Sequence, residues 1–297
     1  MRVVCILAMV HSGTTALDLV LGGHPNFVGL GELSAFVDPR RGHLDHVDTQ
    51  PCSCGTVLKD CPFWGPFSTE LVRRSPASAS ERYEMLLSAF ADHFGEGRVL
   101  VDSSKTVATV QTWADLVGKA NVRVLLLVRD VRGWTTSMID LDKRRGKYGT
   151  RNLLAKYRLR GPKEIARRSA LNRFRQWYRG NLRLQRFLER SAIDSFQLSY
   201  ERLCLFPDPT LEDLCRFLDV EPVPEMLAIG ESGSHVVLGN RMKSKEGTSV
   251  GLRYDGRWFT RREWQLPAQL LRGVMQYNAR EVYDHSHAAP RTPPESP

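Results

Sequence analysis

The sequence contains no apolar run long enough to cross a bilayer. A transmembrane helix needs about 18 or more consecutive apolar residues, and no such run occurs in these 297 residues. The short apolar N-terminus is not expected to be a signal peptide, because cleavage would remove the polar loop that follows it. Internal repeats are also lacking, and no nucleic-acid-binding motif accompanies the net charge of +9. These absences favour a cytoplasmic globular domain that binds anionic ligands other than nucleic acid.

The first loop lacks the lysine of a nucleotide triphosphatase. A buried strand at residues 3–7 and a helix at residues 16–21 are predicted on either side of it. A P-loop places Gly and Lys where this chain has Ala8 and Thr14. The start of a helix still favours phosphate, so the loop suits a shorter anionic group such as a 5′-phosphosulfate. The candidate binding residues of this loop are His11, Ser12, Gly13, Thr14 and Thr15.

Two further predicted strands end in side chains that bind phosphate. Residues 122–128 form a continuous apolar strand that ends at Arg129, and Ser137 lies about two turns into the next helix. Residues 99–101 form another short strand, which leads into the polar segment 102–105 with its lysine. Ligands of open parallel sheets bind at the carboxyl ends of strands. The three strand ends together therefore predict an anion site.

With these motifs the chain resembles the sulfotransferases that use 3′-phosphoadenosine 5′-phosphosulfate, over residues 3–258. The first loop resembles their 5′-phosphosulfate loop, and Arg129 with Ser137 resembles their 3′-phosphate pair. Four shorter segments also resemble family motifs. Residues 31–33 resemble an acidic motif of tyrosylprotein and many bacterial sulfotransferases, and residues 102–105 resemble a loop of the bacterial and carbohydrate branches. Residues 199–203 resemble a Tyr-Glu-Asp-Leu segment, and residues 239–243 resemble a late loop that closes over the nucleotide.

The resemblance implies an α/β, P-loop-like, three-layer fold with a central parallel sheet flanked by helices. We expect one domain over residues 1–287, with a cysteine-containing insertion near 40–70, a basic helical segment at 143–190 and a disordered, proline-rich tail at 288–297. The implied reaction moves the sulfuryl group of 3′-phosphoadenosine 5′-phosphosulfate to a hydroxyl of a small-molecule, carbohydrate or natural-product acceptor. Adenosine 3′,5′-bisphosphate is the implied product, and no metal is required.

The resemblance also implies a role for each motif. The N–H groups of the first loop and the Thr14 and Thr15 hydroxyls hold the 5′-phosphate, while Arg129 and Ser137 hold the 3′-phosphate. Charge at the bridging oxygen or on the sulfuryl group is neutralised by Lys105, and the acceptor proton is removed by Glu32. The remaining implied nucleotide contacts are Tyr200, Asn240, Arg241 and Lys243.

Two positions depart from the family pattern. His11 stands where the 5′ loop usually carries arginine or lysine. Histidine is charged for only part of the time near neutral pH, so donor binding is expected to weaken as pH rises. Val107 stands where the cytosolic phenol and steroid sulfotransferases place a catalytic histidine. Because that histidine is missing, proton removal is assigned to Glu32.

Basic residues far outnumber acidic residues between 143 and 190. Pro162 is a plausible first residue for a helix that runs to Glu189, with an apolar face toward the sheet. The arginines of that helix are either solvated or form a wall for an anionic or lipid-linked acceptor. The other predicted elements are helices at 80–94, 106–119, 211–218 and 261–282 and a strand at 193–198.

Cys52, Cys54 and Cys61 form a close cluster in the sequence. Such spacing in cytoplasm indicates metal or redox chemistry more than a structural disulfide. Zinc needs four ligands, which would require completion by His43, His46 or Asp60. Structural zinc, reduced cysteines in an acceptor-side loop and a disulfide therefore stay open as interpretations.

Two other functions compete with sulfuryl transfer. A P-loop kinase-like phosphotransferase would depend on ATP and magnesium, which the missing lysine disfavours. A non-catalytic nucleotide- or polyanion-binding module would bind adenosine 3′,5′-bisphosphate without turnover. Such a module would have no need of Glu32 and Lys105 together. Neither the acceptor nor the oligomeric state is indicated by the sequence.

Overall fold

The fold is built on a sheet of parallel strands. The computed structural model describes residues 1–37, 46–144, 168–239 and 251–284. The strands of these segments are β1 Val3–Ala8, β2 Phe27–Gly29, β3 Val99–Asp102, β4 Val122–Val128 and β5 Ser195–Ser199. They form one five-stranded sheet in the order β2-β3-β1-β4-β5, with every pairing parallel. The predicted α/β class with a central parallel sheet is confirmed.

Helices cover both faces of this sheet. Alternate residues of β1 belong to two separate apolar clusters, with Val3, Cys5 and Leu7 in one and Val4, Ile6 and Ala8 in the other. Successive side chains of a strand point to opposite faces, so the two clusters are two cores and the fold has three layers. The described helices are α1 Thr14–Leu21, α2 Leu33–Val37, α3 Trp64–Arg74, α4 Ala79–Phe94, α5 Val107–Val117, α6 Val131–Arg144, α7 Ala170–Ser191, α8 Tyr200–Leu205, α9 Pro207–Leu218, α10 Gln265–Leu270 and α11 Arg272–Asn278.

The central strands are apolar because both of their faces are covered. All six residues of β1 are buried, as expected for a parallel strand between two helical layers. Arg123 is the exception within β4, and its guanidinium reaches the C-terminal end of α9. There it donates to the Phe217 carbonyl at 2.6 Å and pairs with Asp219. The guanidinium of Arg123 therefore lies outside the apolar core, while the backbone of this residue pairs within the sheet.

The prediction of a single C-terminal helix over residues 261–282 is wrong. The backbone leaves the helical region at Leu271, with φ −107° and ψ 58°, between α10 and α11. A π-helical turn follows at Ala279–Tyr283. In this turn Glu281 accepts hydrogen bonds from Gln185 and Gln197 at 2.6 and 2.8 Å. These buried tertiary contacts favour the wider turn over the regular helix that the local pattern predicts.

The basic segment is described only from residue 168 onward. Its helix α7 begins after Ser169, whose hydroxyl accepts from the Asn172 N–H at 3.3 Å. Pro162, the insertion residues before 46 and the tail at 288–297 lie outside the described residues. Phe174 and Trp177 are fully buried, which confirms the predicted apolar face. No helix of the described chain has the length and apolar character needed to span a membrane.

A buried carboxyl group supports the segment between β2 and α2. Asp18 of α1 is fully buried, and its Oδ2 accepts the Gly31 N–H at 3.2 Å. Burial raises the pKa of Asp18 to about 7, and burial likewise raises the pKa of nearby Asp102 to about 6. Ionisation of these groups in the folded protein is therefore unfavourable.

Asp18→Asn should flatten part of the pH dependence of stability. The folded-state pKa of Asp18 is raised from 3.8 to about 7, so its contribution is full below about pH 3.8 and is lost as pH rises through about 7. The wild-type free energy of unfolding should fall by up to about 1.4 kcal/mol per pH unit from this group across that window. Asparagine keeps a carbonyl oxygen for Gly31 and does not titrate. Urea denaturation between about pH 5 and 8 measures the slope.

Asp92→Asn is the matched control, because Asp92 is exposed on α4. Its stability–pH curve should run parallel to that of the wild type. An Asp18→Asn curve that is also parallel would contradict the assignment.

Candidate functional site

The loop between β1 and α1 turns on a glycine. Gly13 caps α1 with φ 99°, a left-handed conformation that side chains rarely adopt. A Cβ at this position would lie 2.5 Å from Cδ2 of Tyr200. The Tyr200 ring therefore packs directly on the loop backbone. This close approach brings the end of β5 to the end of β1.

Arg129 joins the loop to the end of β4. Its Nη1 donates to the carbonyl of His11 at 3.0 Å, and its Nη2 pairs with Asp255 at 2.8 Å. Its guanidinium also lies 4.7 Å from the centroid of the Tyr200 ring, within range of a cation–π contact. The side chain is only 7% exposed, so a single buried cation is shared by three segments of the chain.

Ser137 lies on the face of α6 that the Arg129 side chain covers at Gly133. A Cβ on Gly133 would lie 3.3 Å from Nε of Arg129, so this guanidinium covers the first turn of α6. Residues four apart on a helix share one face, which puts Ser137 one turn further along that face. Ser137 is buried at 5% exposure. The predicted pairing of Arg129 with Ser137 is therefore compatible with the helix geometry.

Two buried polar atoms of this region lack a partner within the described chain. They are Oγ of Ser12, in the loop, and Nε of Arg129. Buried polar groups in proteins almost always form hydrogen bonds. Oxygen-rich anions accept N–H and O–H donors, so both atoms fit a site that is completed by a phosphate-type ligand.

Helices α6 and α7 fix the loop from the other side. Trp134 of α6 donates through Nε1 to the Val10 carbonyl at 2.6 Å, and Trp177 of α7 donates to the Arg129 carbonyl at 2.9 Å. A Cβ on Gly180 would lie 2.3 Å from Sδ of Met9, so α7 packs closely on the loop. The exposed side of α7 carries arginines that line a shallow groove of about 390 Å³. They are Arg179, Arg183, Arg186 and Arg190.

The loop between β1 and α1, with Arg129, forms one half of the candidate site, and an ion pair forms the second half. Nζ of Lys105 lies 2.5 Å from Oε1 of Glu32, with side-chain exposures of 11% and 30%. Glu32 precedes α2, and its N–H donates to the Val237 carbonyl at 3.2 Å. Gly31 supplies the turn before it with φ 83°, where a Cβ would lie 2.2 Å from the same carbonyl. The carboxylate therefore extends from a tightly held backbone.

The segment that carries Lys105 is organised by a buried carboxylate. Asp102 accepts hydrogen bonds from the Ser104 N–H and from Nε1 of Trp113, both at 2.8 Å. The Ser104 hydroxyl in turn accepts the Ser34 N–H at 2.8 Å. Lys105 follows with φ 69°, a left-handed conformation that turns the chain at the end of β3.

The two halves of the site meet at Gly239. A Cβ on this glycine would lie 2.9 Å from Oγ1 of Thr15 and 3.8 Å from Oε1 of Glu32. The first turn of α1 and the Glu32 carboxylate thus face the same point. Because Lys105 is paired with Glu32, both predicted catalytic residues lie close to the start of α1 at the carboxyl edge of the sheet.

Comparison with known proteins identifies the family. A profile of the sulfotransferase family matches residues 4–225. The chain belongs to the sulfotransferase family. This membership confirms the resemblance on which the sequence interpretation was based, and it supports sulfotransferase activity. No protein with curated annotation matches the chain significantly.

Solved structures agree with the fold. The sulfotransferase domain of the Synechococcus PCC 7002 olefin synthase has a TM-score of 0.53 and 19% identity, over 96% of this chain and 95% of that chain. The sulfotransferase domain from the curacin biosynthetic pathway has a TM-score of 0.53 and 21% identity, over 94% of this chain and 96% of that chain. At this identity the likeness shows the fold alone. It supports the P-loop-like architecture of this sulfotransferase.

The sequence interpretation missed two parts of the candidate site and predicted three residues that the structure does not describe. Asp255, the partner of Arg129, and Val237, which holds the Glu32 backbone, were not anticipated. Neither carries a local motif, since their roles arise from long-range pairing. The three nucleotide contacts that lie outside the described residues are Asn240, Arg241 and Lys243.

The three clustered cysteines gather around a histidine that the sequence interpretation did not consider. The sulfurs of Cys52, Cys54 and Cys61 and a ring nitrogen of His235 all lie within 4.8 Å of one another. His46 and Asp60 do not belong to this cluster, and His43 lies outside the described residues. All six cysteines of the chain are free. The disulfide interpretation is therefore wrong.

Three glycine-to-alanine substitutions should separate the two constraints on Gly13, which are its positive φ and the close approach of the Tyr200 ring. Gly97→Ala should change the free energy of unfolding by at most about 0.5 kcal/mol, because nothing in the described chain lies within 4 Å of its Cβ position. Gly251→Ala adds a positive φ of 70° and no overlap with the described residues, which should cost about 1–3 kcal/mol. Gly13→Ala adds overlap with the Tyr200 ring and should cost about 1–3 kcal/mol more. Chemical denaturation measures all three. Equal losses of stability for Gly13→Ala and Gly251→Ala would show that the Tyr200 ring moves aside at no measurable cost.

Proposed function

We propose that this sulfotransferase transfers the sulfuryl group of 3′-phosphoadenosine 5′-phosphosulfate to a hydroxyl of a small-molecule, carbohydrate or natural-product acceptor. The observation that carries the proposal is the approach of Thr15 and Glu32 to the same point beside Gly239. A helix start that favours an anion and a carboxylate that can accept a proton are thereby adjacent. Sulfuryl transfer from a phosphosulfate to a hydroxyl needs this combination.

The donor fits the described residues. The N–H groups of the loop from Ser12 to Thr15 and the unpartnered Ser12 hydroxyl would hold the 5′-phosphate. Arg129 and Ser137 would hold the 3′-phosphate, with Tyr200 packed against the loop and against Arg129. His11 contributes its carbonyl to Arg129, and we infer that its imidazole, when protonated, adds charge to the phosphosulfate side.

The roles of Glu32 and Lys105 follow from their pairing. An acceptor hydroxyl beside Glu32 gives its proton to this carboxylate while its oxygen forms a bond to sulfur. The bond between sulfur and the bridging phosphate oxygen breaks, and the ammonium group of Lys105 neutralises the negative charge that develops on this oxygen. Because the two side chains are paired before the reaction, protonation of Glu32 releases Lys105 toward the developing anion. In-line geometry then depends on how the loop and Glu32 are positioned.

Glu32→Gln should abolish most turnover and leave donor binding almost unchanged. Glutamine keeps the shape but cannot accept the proton, and a positioned base contributes about 10²–10⁴-fold in rate. The measurement is the formation of adenosine 3′,5′-bisphosphate with an accepted hydroxyl substrate, together with bisphosphate affinity by calorimetry. Glu96→Gln is the control, since Glu96 is exposed.

Retained turnover in Glu32→Gln would move the base to another group. Equal loss of turnover and of nucleotide binding would make Glu32 structural. Turnover with ATP and magnesium but not with the phosphosulfate would replace the proposal by phosphoryl transfer, and tight bisphosphate binding without turnover would indicate a binding module.

Donor recognition should depend on the 3′-phosphate. Adenosine 3′,5′-bisphosphate should raise the melting temperature far more than adenosine monophosphate, since a ligand at about 100 times its Kd adds roughly 2.7 kcal/mol. Arg129→Ala should remove this preference and Ser137→Ala should reduce it, because each deletes a contact to the extra phosphate. Arg216→Ala, at a position that is 72% exposed, should keep it. Equal thermal shifts for both nucleotides in the wild type would overturn the assignment.

A further inference from the structure

A cluster of soft metal ligands lies outside the site described above. Cys52 and Cys54 lie in the turn that precedes a 3₁₀ helix at Leu58–Asp60, and Cys61 follows that helix directly. His235 belongs to a segment 174 residues further along the chain than Cys61. Cys52 and Cys61 are buried, and the other two are partly exposed. Two distant parts of the chain therefore present four ligand groups to one point.

The spacing of three of these atoms, on Cys52, Cys61 and His235, is close to that of a tetrahedral zinc site. Zinc binds thiolate sulfur at about 2.3 Å and imidazole nitrogen at about 2.0 Å, which separates ligands at tetrahedral angles by about 3.5–3.8 Å. The sulfurs of Cys52 and Cys61 are 3.7 Å apart. Nδ1 of His235 lies 3.9 Å from the first sulfur and 3.1 Å from the second. A disulfide would require about 2.05 Å between sulfurs.

We propose that Cys52, Cys54, Cys61 and His235 bind a structural Zn²⁺ ion. Three thiolates and one imidazole select a soft or borderline metal over Mg²⁺ or Ca²⁺, which prefer oxygen. Four protein ligands close the tetrahedron, so no position is open for water or substrate. The ion therefore does not take part in sulfuryl transfer.

The surrounding backbone holds the ligands in place. The Trp64 N–H donates to Sγ of Cys61 at 3.4 Å, as expected for a hydrogen bond that stabilises a thiolate. The Ser53 hydroxyl donates to the Ser234 carbonyl at 2.7 Å and accepts the Val236 N–H at 2.8 Å. These bonds join the cysteine turn to both neighbours of His235. The cluster is thus supported by one hydrogen bond to a ligand sulfur and by two that do not involve the ligand atoms.

The metal site would stabilise the backbone that holds Glu32. The backbone N–H of His235 donates to the Gly29 carbonyl at 2.8 Å, and the backbone carbonyl of His235 accepts from Nε1 of Trp64 at 2.6 Å. Two residues later, Val237 donates to the Leu30 carbonyl and accepts the Glu32 N–H. A zinc ion at His235 therefore cross-links the cysteine turn to the strip of chain beside Glu32. Only this link to Glu32 rests on the proposed function, and the metal site itself does not.

The first test is the metal content of the full chain. The protein is purified without a metal-affinity step and dialysed against EDTA, and zinc is then measured by plasma mass spectrometry. About one zinc ion per chain is expected, because a closed four-ligand site holds its metal tightly. A zinc content near zero, both after this purification and after incubation with Zn²⁺ and removal of the excess, would overturn the proposal.

Variants identify the ligands. Cys61→Ser should lose the zinc, whereas Cys204→Ser, at a cysteine of α8 outside the cluster, should keep it. His235→Ala and His235→Cys both remove the imidazole, but only the second returns a ligand. His235→Cys should therefore retain about one zinc ion per chain, and His235→Ala should lose it. Unchanged zinc in both His235→Ala and Cys61→Ser would place the metal elsewhere and overturn the assignment.

Cobalt substitution gives a readout that does not depend on activity. Co²⁺ in place of zinc should show strong visible bands of a tetrahedral ion and a near-ultraviolet thiolate charge-transfer band. Weak visible bands typical of six-coordinate Co²⁺ would contradict the site. One zinc ion per chain without sulfuryl transfer would refute the proposed function and support the metal site. Sulfuryl transfer by a protein that contains no zinc would refute the metal site and support the proposed function.

Discussion

The guanidinium of Arg129 is the interaction on which the functional edge of this sheet depends. It binds the carbonyl of His11, pairs with Asp255 and lies against the Tyr200 ring, which itself packs on Gly13. A buried cation is costly unless it is paired and hydrogen-bonded. Three segments must therefore reach Arg129 together, and this requirement fixes the loop after β1 against the ends of β4 and β5. The cation that suits a phosphate is also the cation that assembles the site.

The opposite side of the site depends on backbone register rather than on charge. Glu32 is held by the bond of its N–H to Val237, and Gly31 is held by buried Asp18. A glycine is required at position 31, because its φ is 83° and a Cβ would overlap the Val237 carbonyl. Asp18 is kept in the core although burial raises its pKa to about 7. The buried carboxyl group is the acceptor of the Gly31 N–H and so fixes the backbone just before Glu32.

What the sequence could predict was local. β1, β4 and the loop between β1 and α1 follow from short apolar runs and small residues. Arg129, at the end of β4, and Ser137, in the helix that follows, are related by their short separation in the sequence. β2 has only three residues, too few for a periodic signal. His235 could not be paired with the cysteines because no local pattern in its segment indicates a strand or a ligand. Its position is set by the bond of its N–H to Gly29, which exists only in the folded chain.

The pairing of Arg129 with Asp255 has a consequence for the proposed donor site. A 3′-phosphate at Arg129 would compete with Asp255 for Nη2. Asp255 also accepts from Nε and Nη2 of Arg257, both at 2.7 Å, so it would remain paired if it lost Arg129. Loss of both partners would leave a partly buried carboxylate without compensation, which is costly. Arg257 thus lowers the free energy needed to exchange the carboxylate for a phosphate.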